Sequence, residues 1–314
     1  MRFETLRTLL AFSAINDLKL CQFDVKGAYL HGKLNKTIYM VQPPGYNDQS
    51  GQSCLLICSL YGLKQAGNVW NHELNRVLAK IGFTQLRSDY CCYIRRSDDN
   101  FTSLLVWVDD FISASTTNDL NDVTEHNLKS HFDIKSLGLP NLLLGMKVHV
   151  GHDIISLSQT HYIDSLLTKF GLADANPVAT PMDPNVKLDK YDKSTKTELE
   201  GEEDSNNKIS YGYAQLIGSL MYLAIATCLD IAFAVNKLAQ YTSDPKPSLD
   251  SCQMRFPLSQ VYPSSHTYLW RRRRHSNYRH QYLLRCRLGW RFIRPKVRQW
   301  LRYHHSRWRC FLEL

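Results

Sequence analysis

FTSLLVWVDDFISAS, residues Phe101 to Ser115, is the stretch on which the reading turns. Apolar and β-branched residues stand on both sides of Asp109 and Asp110, which predicts two strands with the acids at the tip of the hairpin joining them. Two carboxylates inside an apolar hairpin cost several kcal/mol per buried ion, as a rough scale, unless a cation offsets them. A bound metal is one resolution and a turn open to water is the other; the hairpin alone leaves both standing. The chain carries its own control in Asp98-Asp99, which lies in the polar run RRSDDN (95–100) and reads as a solvated loop.

A third acid lies upstream. LKLCQFDV (18–25) reads as a strand that ends in Asp24 and runs into a turn at Gly27, and it is fed by a helix over ETLRTLLAFSAIN (4–16). Three acids converging from two strands can hold two Mg²⁺ ions through oxygen, the arrangement that clamps the attacking and leaving oxygens of an in-line phosphoryl transfer. Past the Pro43-Pro44-Gly45 break, CLLICSL (54–60) predicts a short strand, and Gly67 to Ile81 an amphipathic helix anchored by Trp70, Leu74 and Leu78. Asn118 and Asp119 offer an N-cap for a helix to about His131, and IKSLGLPNLLLGMKVHV (134–150) reads as a loop and a further strand. Helices are predicted over 159–170 and 213–241, with a polar, acidic linker from about Pro184 to Asn207 between them. Helices alternating with strands predict an α/β (α+β) sandwich followed by a mostly helical second half.

Composition bounds the partners. The net charge of +9 is uneven: residues 1–253 carry 23 Lys and Arg against 28 Asp and Glu, whereas residues 254–314 carry 15 against 1. The nine cysteines form no CxxC pair, which argues against a zinc site or a disulfide framework and for a reducing, intracellular setting. The N-terminal stretch has an acid inside a short apolar run and no small-residue cleavage site, against a secretory signal. The most apolar run, Leu216 to Val235, contains Asp230 and polar breaks at Ser219, Thr227 and Cys228, so it reads as two buried helices rather than a membrane span. No membrane is expected as a partner.

Three runs in order, FDVKGAYLHGKLNKTIYMVQPPGY (23–46), SLYGLKQAGNVW (59–70) and LLVWVDDFISAS (104–115), resemble three successive polymerase motifs of copia-type LTR retrotransposon reverse transcriptases. LSQTHYIDSLLTKFGL (157–172), TPM (180–182) and the run 215–241 resemble the segment that follows, so the likeness covers about residues 2–247 in one register. It implies a right-hand polymerase palm built as a ferredoxin-like sandwich, with partial fingers, over 1–150, and a helical thumb or connection region over 151–250. The implied activity is RNA-directed DNA polymerase, a nucleotidyltransferase taking an RNA or DNA template with primer and deoxynucleoside triphosphates, with two Mg²⁺ (or Mn²⁺), in a cytoplasmic particle.

Position by position, Asp24 resembles the first metal-binding aspartate, with the Val25 carbonyl beside it; Asp109 resembles the second shared ligand and Asp110 its neighbour. Lys26, Gly27 and Ala28 fall where backbone N–H groups would face the triphosphate. Tyr29 matches the aromatic that excludes a 2′-hydroxyl, although without the motif it reads as a core aromatic after a turn. Gly62 and Gln65, with Tyr61 and Lys64 beside them, fall in the motif that meets template and nucleotide; otherwise they are a turn leading into a helix. Leu144-Gly145-Met146 resembles the primer-grip turn. Lys135 resembles a late general-acid lysine in position, but a single Lys in a polar loop reads first as solvated, and the histidines share no spacing.

The pattern breaks in places. Gly67 and Asn68 replace the family's Pro and Arg, and Cys228-Leu229 its Arg-Pro. The finger hairpin expected before Arg2 and the RNase H domain expected after the YTSDPKP run (241–247) have no counterpart here, which implies a truncated and catalytically weakened or inactive remnant. Residues 251–314, with RRRR at 271–274 and four of the six Trp, show no helical or strand period. They read as an irregular basic tail, either frameshift-derived or a nucleic-acid-binding arm of interleaved Arg and aromatics.

Overall fold

The computed structural model describes residues 1–97, 99–151, 154–171, 203–243, 267–271 and 283–285, with side chains described in all but 203–211 and the last two segments. Asp98 of the control pair, the TPM run, most of the predicted linker and most of the basic tail therefore lie outside the described residues. The described residues divide into two units, one over residues 1–140 and the other beginning at Asn141.

The first unit is an antiparallel sheet with helices. Helix α1 (Phe3–Asn16) leads into β1 (Lys19–Val25), and a short β2 (Tyr39–Val41) pairs with β3 (Ser53–Leu55) as a separate two-stranded hairpin. Helix α2 (Ala66–Lys80) follows, then β4 (Thr84–Gln85), β5 (Cys92–Ser97), β6 (Asn100–Trp107), β7 (Asp110–Ser115), α3 (Asn118–Lys129) and β8 (Ile134–Gly138). The six-stranded order is β4-β5-β6-β7-β1-β8. Strand β1 thus lies between β7 and β8, although neither is its neighbour in sequence.

The period of two along β1 and β7 sorts the side chains. Phe23, Val25 and Phe111 enter a core with Trp70, Leu74, Val77 and Leu78 of α2, Leu104 and Val106 of β6, and Leu128 of α3. The intervening residues, Asp24 and Asp110 among them, face the other way. The apolar spacing of α2 is what brings that helix onto the sheet, as predicted.

Two local expectations are corrected here. The N-cap of α3 is Thr117, not Asn118 or Asp119: Thr117 is extended and its hydroxyl accepts from the Leu120 N–H at 3.4 Å, while Asp119 lies in the first turn, where its charge suits the helix dipole. The segment after it is no loop, because Ile134–Gly138 closes the sheet against β1.

The second unit contains β9 (Leu142–Leu143), β10 (Met146–Val150), β11 (Ile154–Ser158), α4 (Thr160–Lys169), α5 (Glu203–Ala226), α6 (Ala232–Ala239), β12 (Thr267–Arg271) and β13 (Leu283–Arg285). Its strands form one antiparallel sheet in the order β13-β12-β11-β10-β9. A mostly helical second half is therefore incomplete as an expectation, since MKVHV and IISLS alternate at the strand period and pair. So is a wholly irregular tail: TYLWR at 267–271 is rich in strand-favouring types and adds to the free edge of β11. The apolar run 216–235 is shared between α5 and α6 and broken at Thr227-Cys228, with Leu216, Leu220, Leu223, Ile231 and Val235 buried together with Ile163 and Leu166 of α4. No helix among the described residues is long and apolar enough to cross a membrane.

Candidate active site

Strand register assembles the acids. Asp24 lies directly opposite Asp110 across the β1–β7 pair, and the Val25 N–H donates to the Asp109 carbonyl at 2.9 Å. Residues opposite one another in a sheet share a face, so the two carboxylates project together on the side away from the core. All three acids are half-buried. They stand at the rim of the sheet, so the charge-burial problem posed by their apolar flanks is partial: solvent reaches one side.

The tip itself is strained. Only Val108 and Asp109 separate β6 from β7, and Val108 has a φ of 55°, the left-handed region that a β-branched residue rarely adopts. The surroundings hold it there: Trp70 Nε1 of α2 donates to the Val108 carbonyl at 2.9 Å, and Asp109 is pinned by Val25. The one helix that carries the core aromatic also fixes the turn that carries the acids.

The carboxylates differ in their partners. Asp110 accepts from Gln22 Nε2 at 3.5 Å, and Gln22 lies two residues before Asp24 on the same face of β1. Burial pushes the Asp110 carboxyl up from its ordinary value; the Gln22 contact opposes that, and the charges of Asp24 and Asp109 add to the rise. Asp109 Oδ2 accepts from the Tyr61 hydroxyl at 3.1 Å. Burial raises the Tyr61 phenol, as do its hydrogen bond to Asp109 and the charge there, while the Ala28 N–H acts the other way. The Tyr61 ring also packs on Tyr29 with centroids 4.6 Å apart.

The structure places the remaining predicted residues around these. Gly27 has a φ of 60°, and a Cβ there would come within 2.9 Å of Leu30, so the turn after β1 requires glycine. The Lys26 N–H is used by the Asp133 carbonyl at 2.9 Å and its ammonium pairs with the Asp133 carboxylate at 3.1 Å. That engagement removes the Lys26 N–H from the set expected to face the triphosphate. Gly62, with a φ of 93°, and Gln65, which precedes α2, stand in the loop that carries Tyr61. Leu144 and Gly145, both at positive φ, form the two-residue turn between β9 and β10 in the other unit.

Sequence reasoning missed three neighbours. Tyr61 was noted only as standing beside its motif, Gln22 was passed over as a strand residue, and Lys135, placed in a polar loop, sits in β8 directly opposite Asp24. An amide two residues before an acid on one strand was the only signal available for Gln22; nothing local marks the other two.

The donor set is all oxygen, three carboxylates and a backbone carbonyl, which is the chemistry a hard divalent cation takes. Among the described residues no three His, Cys, Asp or Glu side chains are already grouped to hold a metal ion.

The site is thus a strained hairpin presenting two acids opposite a third on the neighbouring strand. The family model described as reverse transcriptase (RNA-dependent DNA polymerase) matches residues 1–184, and the chain belongs to that family. It is 35% identical over 250 residues to the retrovirus-related Pol polyprotein from transposon TNT 1-94 of Nicotiana tabacum, covering 78% of this chain and 18% of the relative. Against the Pol polyprotein from transposon RE1 of Arabidopsis thaliana it is 33% identical over 243 residues, 77% of this chain and 16% of that one. The transposon Ty1-MR1 Gag-Pol polyprotein of Saccharomyces cerevisiae is 25% identical over 257 residues, 76% and 14%. The chain spans less than a fifth of the length of these polyproteins, and the resemblance to copia-type retrotransposon enzymes is borne out.

Proposed function

We propose that the chain is the polymerase region of a retrotransposon Pol polyprotein and that its site performs RNA-directed DNA synthesis, attack of a primer 3′-hydroxyl on the α-phosphate of a deoxynucleoside triphosphate with release of pyrophosphate. The single observation that carries this reading is the opposition of Asp24 to Asp110 across β1 and β7, with Asp109 tied to Val25. The order β1, α2, β6, β7, α3, β8, with β8-β1-β7-β6 adjacent in space, is a ferredoxin-like arrangement and supports a palm. The loop carrying Gly62 and Gln65 would belong to the fingers, and the unit beginning at Asn141 to a thumb or connection.

Asp24, Asp109 and the Val25 carbonyl would hold two Mg²⁺ ions, with Asp110 beside them. When bound, such ions lower the barrier by stabilising charge on the attacking and leaving oxygens. The protein's own part is positional. Trp70 and Val25 fix the tip, Gln22 holds Asp110, and the Gly27 and Ala28 N–H groups would meet phosphate oxygens. Tyr29 would pack under the sugar and disfavour a ribonucleotide.

Primer extension on poly(rA)/oligo(dT) tests this: the chain incorporates dTTP in a Mg²⁺-dependent way and Asp109→Asn abolishes it. Incorporation by Asp109→Asn equal to that of the unmodified chain would discard the reading. A second reading, a remnant that only binds nucleic acid, is favoured by the charge of residues 254–314, 15 basic against 1 acidic. It stands if the chain incorporates nothing, binds RNA or DNA in a salt-sensitive way, and loses that binding when cut after Ser251.

A further inference from the structure

Asp109 Oδ2, one of the carboxylate oxygens a cation could use, accepts a hydrogen bond from the Tyr61 hydroxyl at 3.1 Å. Tyr61 is itself about half exposed and stands in a loop between the Lys33–Cys58 bridge and α2, with Gly62 beside it at a φ of 93°. Its ring rests on Tyr29 independently of its hydroxyl. One phenol thus touches two parts of the site, a carboxylate through its hydroxyl and the aromatic Tyr29 through its ring.

We propose that Tyr61 is a displaceable internal ligand of Asp109, a positioning residue whose hydroxyl competes with the divalent cation and must be released as the cation is taken up. The proposal rests on the metal-site reading above and adds to it a residue outside the acids. The physical basis is exchange of one partner for another at a single oxygen. A hydrogen bond to a carboxylate is stronger than one between neutral groups, but solvent at a half-exposed phenol weakens it, so the competition is modest. Because the Tyr29 contact does not use the hydroxyl, the ring can remain as a wall while the O–H lets go.

Removing the hydroxyl alone isolates the effect. In a titration of the full 314-residue chain with Mn²⁺, followed by the electron paramagnetic resonance signal of the free ion, Tyr61→Phe should bind Mn²⁺ about threefold to tenfold more tightly than the unmodified chain. On an Asp109→Asn background the same substitution should change little, since the charged carboxylate for which hydroxyl and cation compete has become a neutral amide. Thermal unfolding of Tyr61→Phe should match that of the unmodified chain to within a degree or two, roughly, because the ring contact is kept. Equal or weaker Mn²⁺ binding by Tyr61→Phe, with the unmodified chain binding normally and Asp109→Asn weakened, overturns the role of Tyr61 and leaves the metal site intact. Mn²⁺ binding by neither the unmodified chain nor Tyr61→Phe overturns the metal site and this proposal together. Binding by Tyr61→Phe alone supports both.

Discussion

Two acids at the two sides of the same sheet behave in opposite ways. Asp89, just before β5, is buried and saturated with donors: the Arg2 N–H at 2.9 Å, the Thr5 hydroxyl at 2.6 Å and the Cys91 N–H at 2.9 Å. Burial pushes its carboxyl up, yet the Thr5, Cys91 and Arg2 donors together outweigh that and hold it below its ordinary value. Asp110 is less buried, but Gln22 donates to it only at 3.5 Å and two acids are its neighbours, and its carboxyl is raised. An acid supplied with donors is a structural anchor, here tying α1 to the strand β5. An acid supplied with other acids keeps a charge that its surroundings do not compensate.

The comparison can be broken most forcefully at Asp89. Replacing it by Ala leaves two backbone N–H groups and a hydroxyl without their acceptor, and should cost about 3 kcal/mol in urea unfolding at neutral pH. A folded carboxyl held low contributes stability that is present above its ordinary value of 3.8 and is lost as pH falls through the lowered value. The penalty of Asp89→Ala should therefore shrink in strong acid. A loss that stays constant from neutral pH into strong acid would mean the donors are satisfied by water instead.

A smaller effect is expected at the hairpin that joins β9 and β10. Gly145→Ala puts a Cβ within 3.2 Å of the Tyr222 hydroxyl at a φ of 78°, and that hydroxyl donates to the Leu144 carbonyl. The change should cost about 1–2 kcal/mol in the unfolding of the unit that carries it. The tip at Val108 shows the contrast: there the left-handed residue is β-branched, and Trp70 and Val25 enforce it from outside.

The smallest expected change has the opposite sign. Asp110→Asn removes a carboxyl whose folded value is raised, chiefly by burial. The folded chain then holds protons more tightly than the unfolded one, so Asp110 costs stability once pH climbs past 3.8, a cost fully present above the raised folded value. The Asn variant should have a higher urea midpoint at neutral pH and an unchanged one well below pH 3.8. A midpoint that falls at neutral pH would show that Gln22 stabilises the charge more than Asp24 and Asp109 oppose it.

Much of the site was legible before the fold. The flanks of Asp109-Asp110 read as strands because their apolar, β-branched residues suit a sheet, and Asp24 read as a strand end because the period of two stops at Gly27. Tyr61 bound to Asp109, Gln22 reaching Asp110 and Lys135 opposite Asp24 did not read at all. Nor did Thr117 as the cap of α3, because three polar residues in a row compete locally and only the backbone angles separate them.

What the sequence determined by itself is what depends on neighbours along the chain: which segments form strands and helices, which face of each is apolar, and which acids stand at strand ends. What the tertiary structure decided is who meets whom. β1 was placed between β7 and β8 by burying Phe23, Val25 and Phe111 against α2, and that placement set Asp24 opposite Asp110 and Lys135. Pairing between strands distant in sequence is governed by the register that closes the core, a property of the whole unit that no single stretch contains.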